Sequence, residues 1–172
     1  MGHTAGMTES GYAQFDTELG QCGVTWGPTG ITGVRLPPAT GTPTGTPPPA
    51  VSAAIDRMTA LMNGDADDLT DVELDLSGLP EFNLKVYAVA RAIPPGQTMT
   101  YGEVARAIGL PGSAQAVGQA LGRNPCPIIV PCHRVLGADG KMGGFSAPGG
   151  SVTKLKMLAI EGAAPGGQPS LF

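Results

Sequence analysis

The sequence is poor in the residues that build disulfide frameworks and metal sites. Only three of its 172 residues are cysteines, and they stand singly at Cys22, Cys126 and Cys132. They are too few and too irregularly spaced for a disulfide framework, and no CxxC pair indicates a zinc site. The two histidines, His3 and His133, are too few for a histidine-rich metal site. We therefore expect no cofactor, no metal and a reducing compartment.

Long hydrophobic runs are also missing. No apolar run approaches the roughly 18 residues that a membrane helix needs, and the first residues lack the basic and apolar regions of a signal peptide. The hydrophobic fraction of 41% over 172 residues suits one domain, or two small lobes sharing a core. We expect a cytoplasmic protein, without a membrane partner, and a monomer because no long exposed apolar stripe is evident. Residues 1–6 are interpreted as a leader or expression remnant, since Met7 is a second plausible start.

Basic residues are scarce in the first half of the chain. Before residue 80, two basic residues stand against ten acidic ones, whereas from residue 80 onward eight basic residues stand against four acidic ones. The formal net charge of −4 therefore combines an acidic first half with a basic second half. This asymmetry indicates a polyanionic partner for the second half, although scattered solubilising charges produce such asymmetries too.

Short apolar or alternating runs separated by glycine and proline predict a small antiparallel sheet in an N-terminal lobe, residues 1–79. The predicted strands are 12–18, 22–26 and 31–36. The Pro-, Gly- and Thr-rich segment 37–49 predicts a mobile surface loop that joins no strand and has no functional role.

The rest of this lobe is predicted to contain a helix and one more strand. Apolar residues spaced by three and four predict a helix over 51–62 that lies on the sheet and stops at Asn63 and Gly64. The acidic segment 65–75 alternates apolar and polar residues at its end, which favours a further strand. The expected fold class is α+β.

The C-terminal lobe, residues 80–172, is predicted to be mainly helical. A helix that begins at Pro80 has an apolar face of Phe82, Val86, Val89 and Ala90 and ends before the prolines at 94 and 95.

Two short helices then follow within residues 101–121. Thr100 and Glu103 match a capping box for a helix that ends at Ile108, and Ser113 is predicted to cap a second helix to about Leu121. Such a pair, joined by a glycine-containing turn, indicates a helix-turn-helix, with an ordinary helical hairpin as the alternative. Its place in the basic half of the chain favours DNA as partner.

The chemistry of the chain is concentrated at Cys132. A buried strand predicted at 128–130 delivers the thiol at its rigid edge. Because a free thiol has a pKa of about 8.5, its use as a nucleophile requires a base or a positive environment, and His133 and Arg134 offer both. Adjacent side chains need not face each other, so His133 would act through a water molecule. The alternatives are a structural Cys132 and a hydrogen-bonded core His133, and Cys126 is interpreted as a packing residue.

The Pro-Cys-His-Arg-Val segment of residues 131–135, preceded by Ile-Ile-Val, strongly resembles the active-site signature of the O6-alkylguanine-DNA alkyltransferases. Five further segments resemble the C-terminal domain of that family in the same order, namely 101–105, 116–118, 124–125, 143–146 and 154–162. The resemblance covers residues 82–162, whereas the first lobe resembles the variable N-terminal domain of the family only loosely.

The resemblance implies a reaction and a set of catalytic residues. An alkyl group moves irreversibly from O6 of a flipped-out guanine, with O4 of thymine as a further candidate, to Cys132 in double-stranded DNA of the nucleoid. His133 would act through water as the base, Glu161 would orient His133, and Asn124 would hold the active-site turn. Tyr101 would help to protonate the leaving guanine.

The resemblance also implies contacts to the substrate and to DNA. The expected contacts to the extruded base are Gln115, Ser146, Val135, Leu121 and Phe145. The expected contacts to DNA are Ala114, Gln115, Ala116, Gly118, Arg123 and Arg134. The small residues of the second short helix would permit close approach to a minor groove.

The chain departs from the family pattern in three ways. Gln115 stands where the family normally has an arginine that fills the hole left by the flipped base, and glutamine fills it without a charge. We therefore expect slower reaction or an altered substrate range. The segment 146–150 looks longer than usual and predicts a roomier pocket, and the zinc ligands of some relatives have no counterparts.

Two other functions fit parts of this pattern. A lesion sensor of the same fold would bind damage with weak or no transfer. Gln115 in place of the usual arginine favours this role, whereas the presence of Cys132 argues against it. A thiol hydrolase would use Cys132, His133 and Glu161, but nothing in the sequence indicates an oxyanion hole.

Overall fold

The computed structural model describes residues 10–67, 69–137 and 150–163. Its N-terminal lobe contains an antiparallel sheet of three strands in sequence order, as predicted: β1 (Gly11–Thr17), β2 (Gly20–Gly27) and β3 (Gly30–Arg35). Gly20 and Gly30 enter β2 and β3 with positive φ of 120° and 146°, a conformation that glycine adopts without steric cost. The apolar side chains of one face, among them Phe15, Cys22 and Val24, are buried.

The helix α1 (Pro49–Met62) packs on β1, which confirms the predicted helix and its place on the sheet. It begins two residues earlier than predicted because proline fits the first turn of a helix, where its missing N–H has no partner to lose. It ends at Asn63, as predicted. The buried residues are Val51, Ala54, Met58, Leu61 and Met62.

The loop before α1 is irregular but not free of the sheet. Thr44 pairs with Tyr12 through two backbone hydrogen bonds of 2.9 Å, and the Tyr12 hydroxyl donates to the Thr40 carbonyl at 2.9 Å. The prediction that no residue of this segment joins a strand was wrong at Thr44. The composition of the loop does not predict these hydrogen bonds, because their partner, Tyr12, lies in β1.

The strand predicted over 65–75 was wrong. Of the residues in this segment that the structure describes, only Leu74 pairs with the sheet, through an isolated bridge to Ile31. The preceding residues curve around Arg91, whose Nη2 donates to the carbonyls of Leu69 and Val72 at 2.9 and 2.8 Å, and Leu69 has a positive φ of 57°. Carbonyls that face one guanidinium cannot also form a regular ladder.

The C-terminal lobe is mainly helical, so the α+β class is confirmed. Its elements are α2 (Glu81–Arg91), β4 (Met99–Thr100), α3 (Tyr101–Ala107), α4 (Ala114–Gly122), a 3₁₀ turn (Cys132–Arg134), β5 (Val135–Leu136) and α5 (Gly150–Ile160). β4 and β5 form a short parallel pair. Among the described residues, no helix combines the length and apolar character required to cross a membrane.

The face of α2 differs in part from the prediction. Val86 and Ala90 are buried, but Phe82 and Val89 are only half-buried, and the third buried residue is Tyr87. The Tyr87 hydroxyl donates to the Ala120 carbonyl at 2.6 Å, which ties α2 to the last turn of α4. An aromatic ring with a polar tip is buried when that tip finds a partner.

The two short helices α3 and α4 form the predicted pair. The Thr100 capping box is confirmed, since Glu103 N donates to Thr100 Oγ1 at 3.0 Å and Thr100 N donates to Glu103 Oε1 at 2.8 Å. Ser113 is the N-cap residue of α4, as predicted, but its side chain forms no capping hydrogen bond, because the hydroxyl donates to the Leu110 carbonyl at 2.6 Å instead. Ala105 and Val117 are fully buried where the helices pack.

Candidate active site

The residues before Cys132 form a buried turn, and the strand predicted at 128–130 was wrong. Asn124 brackets this turn: its Nδ2 donates to the Val130 carbonyl at 2.8 Å and its Oδ1 accepts from Cys126 N at 2.9 Å. Val130 N also donates to the Cys126 carbonyl at 2.8 Å, and Ile128 has a positive φ of 77°. A short apolar run such as 128–130 does not by itself specify a strand. Here the hydrogen bonds of the Asn124 side chain favour a turn.

The N-terminal sheet supports the same turn. The backbone N–H of Val34 in β3 donates to the Pro125 carbonyl at 2.8 Å. Buried residues of both lobes also belong to one hydrophobic core. The first lobe therefore contributes directly to the position of the residues that lead to Cys132.

Cys132 is the first residue of the 3₁₀ turn and does not lie at a strand edge. The turn leads directly into β5. Its N–H donates to the Val130 carbonyl at 2.8 Å, and the residue is 7% exposed. Burial raises the pKa of the Cys132 thiol, while a hydrogen bond from Asn124 and the charge of Lys154 act in the opposite direction. The resting group is therefore a thiol, which needs a base to become a nucleophile.

His133 and Glu161 meet beside the turn. His133 Nε2 lies 3.0 Å from Glu161 Oε2, and both side chains are fully buried. The contact lacks the direction of a good hydrogen bond, and Nδ1 of the same ring has no hydrogen-bond partner within the described part of the chain. Burial lowers the pKa of His133, so its imidazole is neutral and able to accept a proton.

Glu161 is held as a carboxylate by its neighbours. Burial opposes its ionisation, but the hydrogen bonds from Arg134 and the close approach of His133 outweigh burial and lower its pKa to about 2. A buried carboxylate beside a neutral imidazole stabilises the imidazolium that forms when the ring takes up a proton.

Arg134 is not available to DNA, so its predicted role as a DNA contact was wrong. The side chain is 1% exposed. Its Nε and Nη2 donate to the two carboxylate oxygens of Glu161 at 2.9 and 2.6 Å, and its Nη1 donates to the Ile93 carbonyl at 2.6 Å. A planar guanidinium suits such a fork, and the partner lies 27 residues away in sequence.

The other predicted DNA contacts lie on or beside α4. Gln115 and Arg123 are exposed, whereas Ala114, Ala116 and Gly118 are half-buried. The predicted base contacts Leu121 and Val135 are buried behind this surface. Ser146 and Phe145 lie outside the described residues.

Tyr101 lies at the start of α3, half-buried, with its ring against Gly118 of α4. Burial raises the pKa of its phenol, so the hydroxyl keeps its proton at neutral pH and remains a donor.

Lys154 of α5 is a residue that the sequence analysis missed. It is 1% exposed, and its Nζ lies 5.8 Å from the centre of the Tyr101 ring. Burial lowers its pKa to about 8. A signal was present in the sequence, because Lys154 and Glu161 are seven residues apart and so share one helix face.

Comparison with known proteins places these features in context. A family model described as the 6-O-methylguanine DNA methyltransferase, DNA binding domain, matches residues 81–163. The methylated-DNA–protein-cysteine methyltransferase of Mycobacterium tuberculosis is 45% identical over 125 residues, covering 73% of each chain. That of Methanothermobacter thermautotrophicus is 36% identical over 148 residues, covering 85% of this chain and 82% of the relative.

Solved structures agree with the sequence relatives. The M. tuberculosis OGT in complex with DNA superposes with a TM-score of 0.73 and 40% identity, covering 87% of this chain and 92% of that chain. The O6-methylguanine-DNA methyltransferase of Pyrococcus kodakaraensis gives a TM-score of 0.67 and 25% identity, covering 89% of this chain and 99% of that chain.

Proposed function

Because the chain belongs to the methylated-DNA–protein-cysteine methyltransferase family, we propose that it repairs DNA directly by moving an alkyl group from O6 of guanine to the sulfur of Cys132. The observation that carries this assignment is a nearly buried thiol that follows the Asn124 turn and adjoins the buried His133–Glu161–Arg134 cluster. The reaction uses each molecule once, since the thioether has no route back to a thiol in this site.

The buried cluster supplies the proton chemistry. A neutral His133 takes the thiol proton through a bridging water, and Glu161 stabilises the resulting imidazolium. The sulfur–carbon bond then forms as the bond between carbon and O6 breaks. Tyr101 donates a proton to the departing guanine, so that the base leaves neutral, and solvent returns the proton from His133 to Tyr101.

DNA is the partner, and α4 is the element proposed to meet it. A thiol below the surface cannot reach O6 within a stacked duplex, so the damaged nucleotide must rotate out of the helix. Gln115, exposed in the first turn of α4, would occupy the space that the base leaves. Arg123, exposed at the end of α4, would contact the phosphate backbone. We place the protein at the bacterial nucleoid, acting as a monomer.

The test is the intact mass of the protein after incubation with a duplex that contains one O6-methylguanine. We expect each molecule to gain one methyl group in place of one hydrogen, and peptide mapping to locate it on Cys132. An unmodified protein that binds the duplex would instead indicate a lesion sensor. Hydrolysis of a thiol-reactive ester without any DNA adduct would indicate a hydrolase.

Gln115→Arg is expected to speed the repair of methylated duplex by about tenfold, because a guanidinium carries a positive charge that the neutral amide of glutamine lacks. The rate is measured by single-turnover transfer from a labelled duplex. Gln119→Arg, at another exposed position of α4, is the matched control for added charge alone. Equal rates for Gln115→Arg and the wild type would show that an arginine is not needed at this position.

A further inference from the structure

Helix α5 and Glu161, the residue directly after it, place two buried charges on the side that faces the site. Glu161 is already bound by Arg134 and lies against His133. Lys154, two turns earlier, is just as deeply buried, and Met157 and Leu158 between them are fully buried. An ammonium group loses its hydration when buried, so its retention in a core calls for a compensating interaction.

The surroundings of Lys154 include the reacting groups. Helix α5 packs against the 3₁₀ turn, and the charge of Lys154 acts on the pKa of Cys132 and of His133 in that turn. Its Nζ lies 5.8 Å from the centre of the Tyr101 ring of α3, within the range in which a cation is attracted to an aromatic face. The pKa of Cys132 is also lowered by the Asn124 side chain and by the backbone of Cys132 and His133. The phenols of Tyr87 in α2 and Tyr101 in α3 interact with the same sulfur.

One positive charge in this position has two useful effects. It favours the thiolate form of Cys132, and it disfavours the protonated form of His133, so the base stays neutral until it is needed. Both effects are strong because Cys132, His133 and Lys154 are buried, and solvent screens buried charges weakly.

We propose that Lys154 supplies the buried positive charge that stabilises the Cys132 thiolate during alkyl transfer. The inference rests on the proposed function for its purpose, but the interaction itself is a property of the protein without DNA. A thiolate that forms beside an ammonium requires less help from the His133 base. This role explains why a lysine, rather than an apolar residue, lies on the inner face of α5.

The test uses iodoacetamide, a neutral reagent that reads the thiolate without DNA or base flipping. The rate of Cys132 alkylation is measured against pH in the wild type, Lys154→Met and Lys154→Arg, and Cys132→Ala defines the background. We expect Lys154→Met to move the midpoint of the profile upward by about one pH unit, and to lower the rate at neutral pH about tenfold. Lys154→Arg should place the midpoint at or below that of the wild type, because arginine keeps its charge throughout the profile, whereas Lys154 has a pKa of about 8.

Lys156→Met is the matched control, because Lys156 lies on the exposed face of the same helix. It should leave the profile unchanged. A folded Lys154→Met with the wild-type midpoint would overturn the proposal, even if its rate were lower at every pH. If Lys154→Met does not fold, Lys154→Gln provides the same comparison. Failure of methyl transfer from DNA would contradict the proposed function. It would not affect the iodoacetamide comparison, which contains no DNA.

Discussion

Cys132→Ala is expected to abolish alkyl transfer while leaving the affinity for methylated duplex within about twofold of the wild type, since a thiol in the pocket contacts no phosphate. Neither of the other two cysteines is expected to accept the alkyl group in place of Cys132. Cys22 and Cys126 are fully buried, and burial raises the pKa of Cys126 to about 12. Intact mass measures the transfer, and fluorescence anisotropy of a labelled duplex measures the affinity.

The matched control for this experiment is Cys126→Ala, which removes a buried thiol six residues away from the proposed acceptor. It should retain full transfer, although the small cavity it creates will lower stability slightly. A methyl adduct on the Cys132→Ala protein would refute the assignment of the acceptor. Loss of transfer in Cys126→Ala, with the fold intact, would do so as well.

Arg134→Met is expected to lower the free energy of unfolding by about 3–5 kcal/mol, the usual cost of removing one partner of a buried ion pair. The substitution leaves the Glu161 carboxylate buried without its main compensating charge, and it removes the donor to the Ile93 carbonyl. Urea unfolding at neutral pH gives the measurement. The stability should recover in part when Glu161→Gln is added, because the uncompensated charge is then gone.

Acid unfolding provides an independent check on the same pair. The folded state depresses the pKa of Glu161 to about 2, below the value of about 4.3 for an unperturbed glutamate. Its stabilising contribution is therefore present above about pH 4.3 and is lost as the pH falls through about 2. In Arg134→Met this loss should begin at a higher pH, because the pKa of the carboxyl is no longer held down.

Arg123→Met is the matched arginine control, since Arg123 is exposed at the end of α4. It should change stability by no more than about 0.5 kcal/mol, and should reduce the salt dependence of DNA binding by about one phosphate contact. If Arg134→Met kept wild-type stability and lost DNA affinity instead, the original interpretation of Arg134 as a DNA contact would be restored.

The sequence predicts the regular elements of this fold well because their signals are local. The three strands are separated by glycines, and the first helix follows the spacing of its apolar residues. The capping box at Thr100 and Glu103 also lies within four residues. Each of these interactions involves neighbours in sequence, so composition and spacing contain the information.

The errors arise where a side chain outside a segment decides its local structure. The apolar residues at 128–130 form a turn because the Asn124 side chain, six residues before Val130, binds the Val130 carbonyl. The segment at 65–75 bends because Arg91 binds its carbonyls. Arg134 is buried because it pairs with Glu161, 27 residues later in sequence. The contacts of the two arginines lie outside any short window, and an isolated arginine is otherwise expected at the surface.

The hydrogen bond from Val34 to Pro125 has a consequence for how the chain is divided. The boundary near residue 80 separates two compositions, but it does not separate two mechanical units. The peptide segment that ends in the proposed alkyl acceptor hydrogen-bonds to an edge strand contributed by the acidic half, and the two halves share one apolar interior. Cutting the polypeptide at that boundary would expose this interior and remove the hydrogen bond that supports the segment, so the acidic half of the molecule helps to position the site.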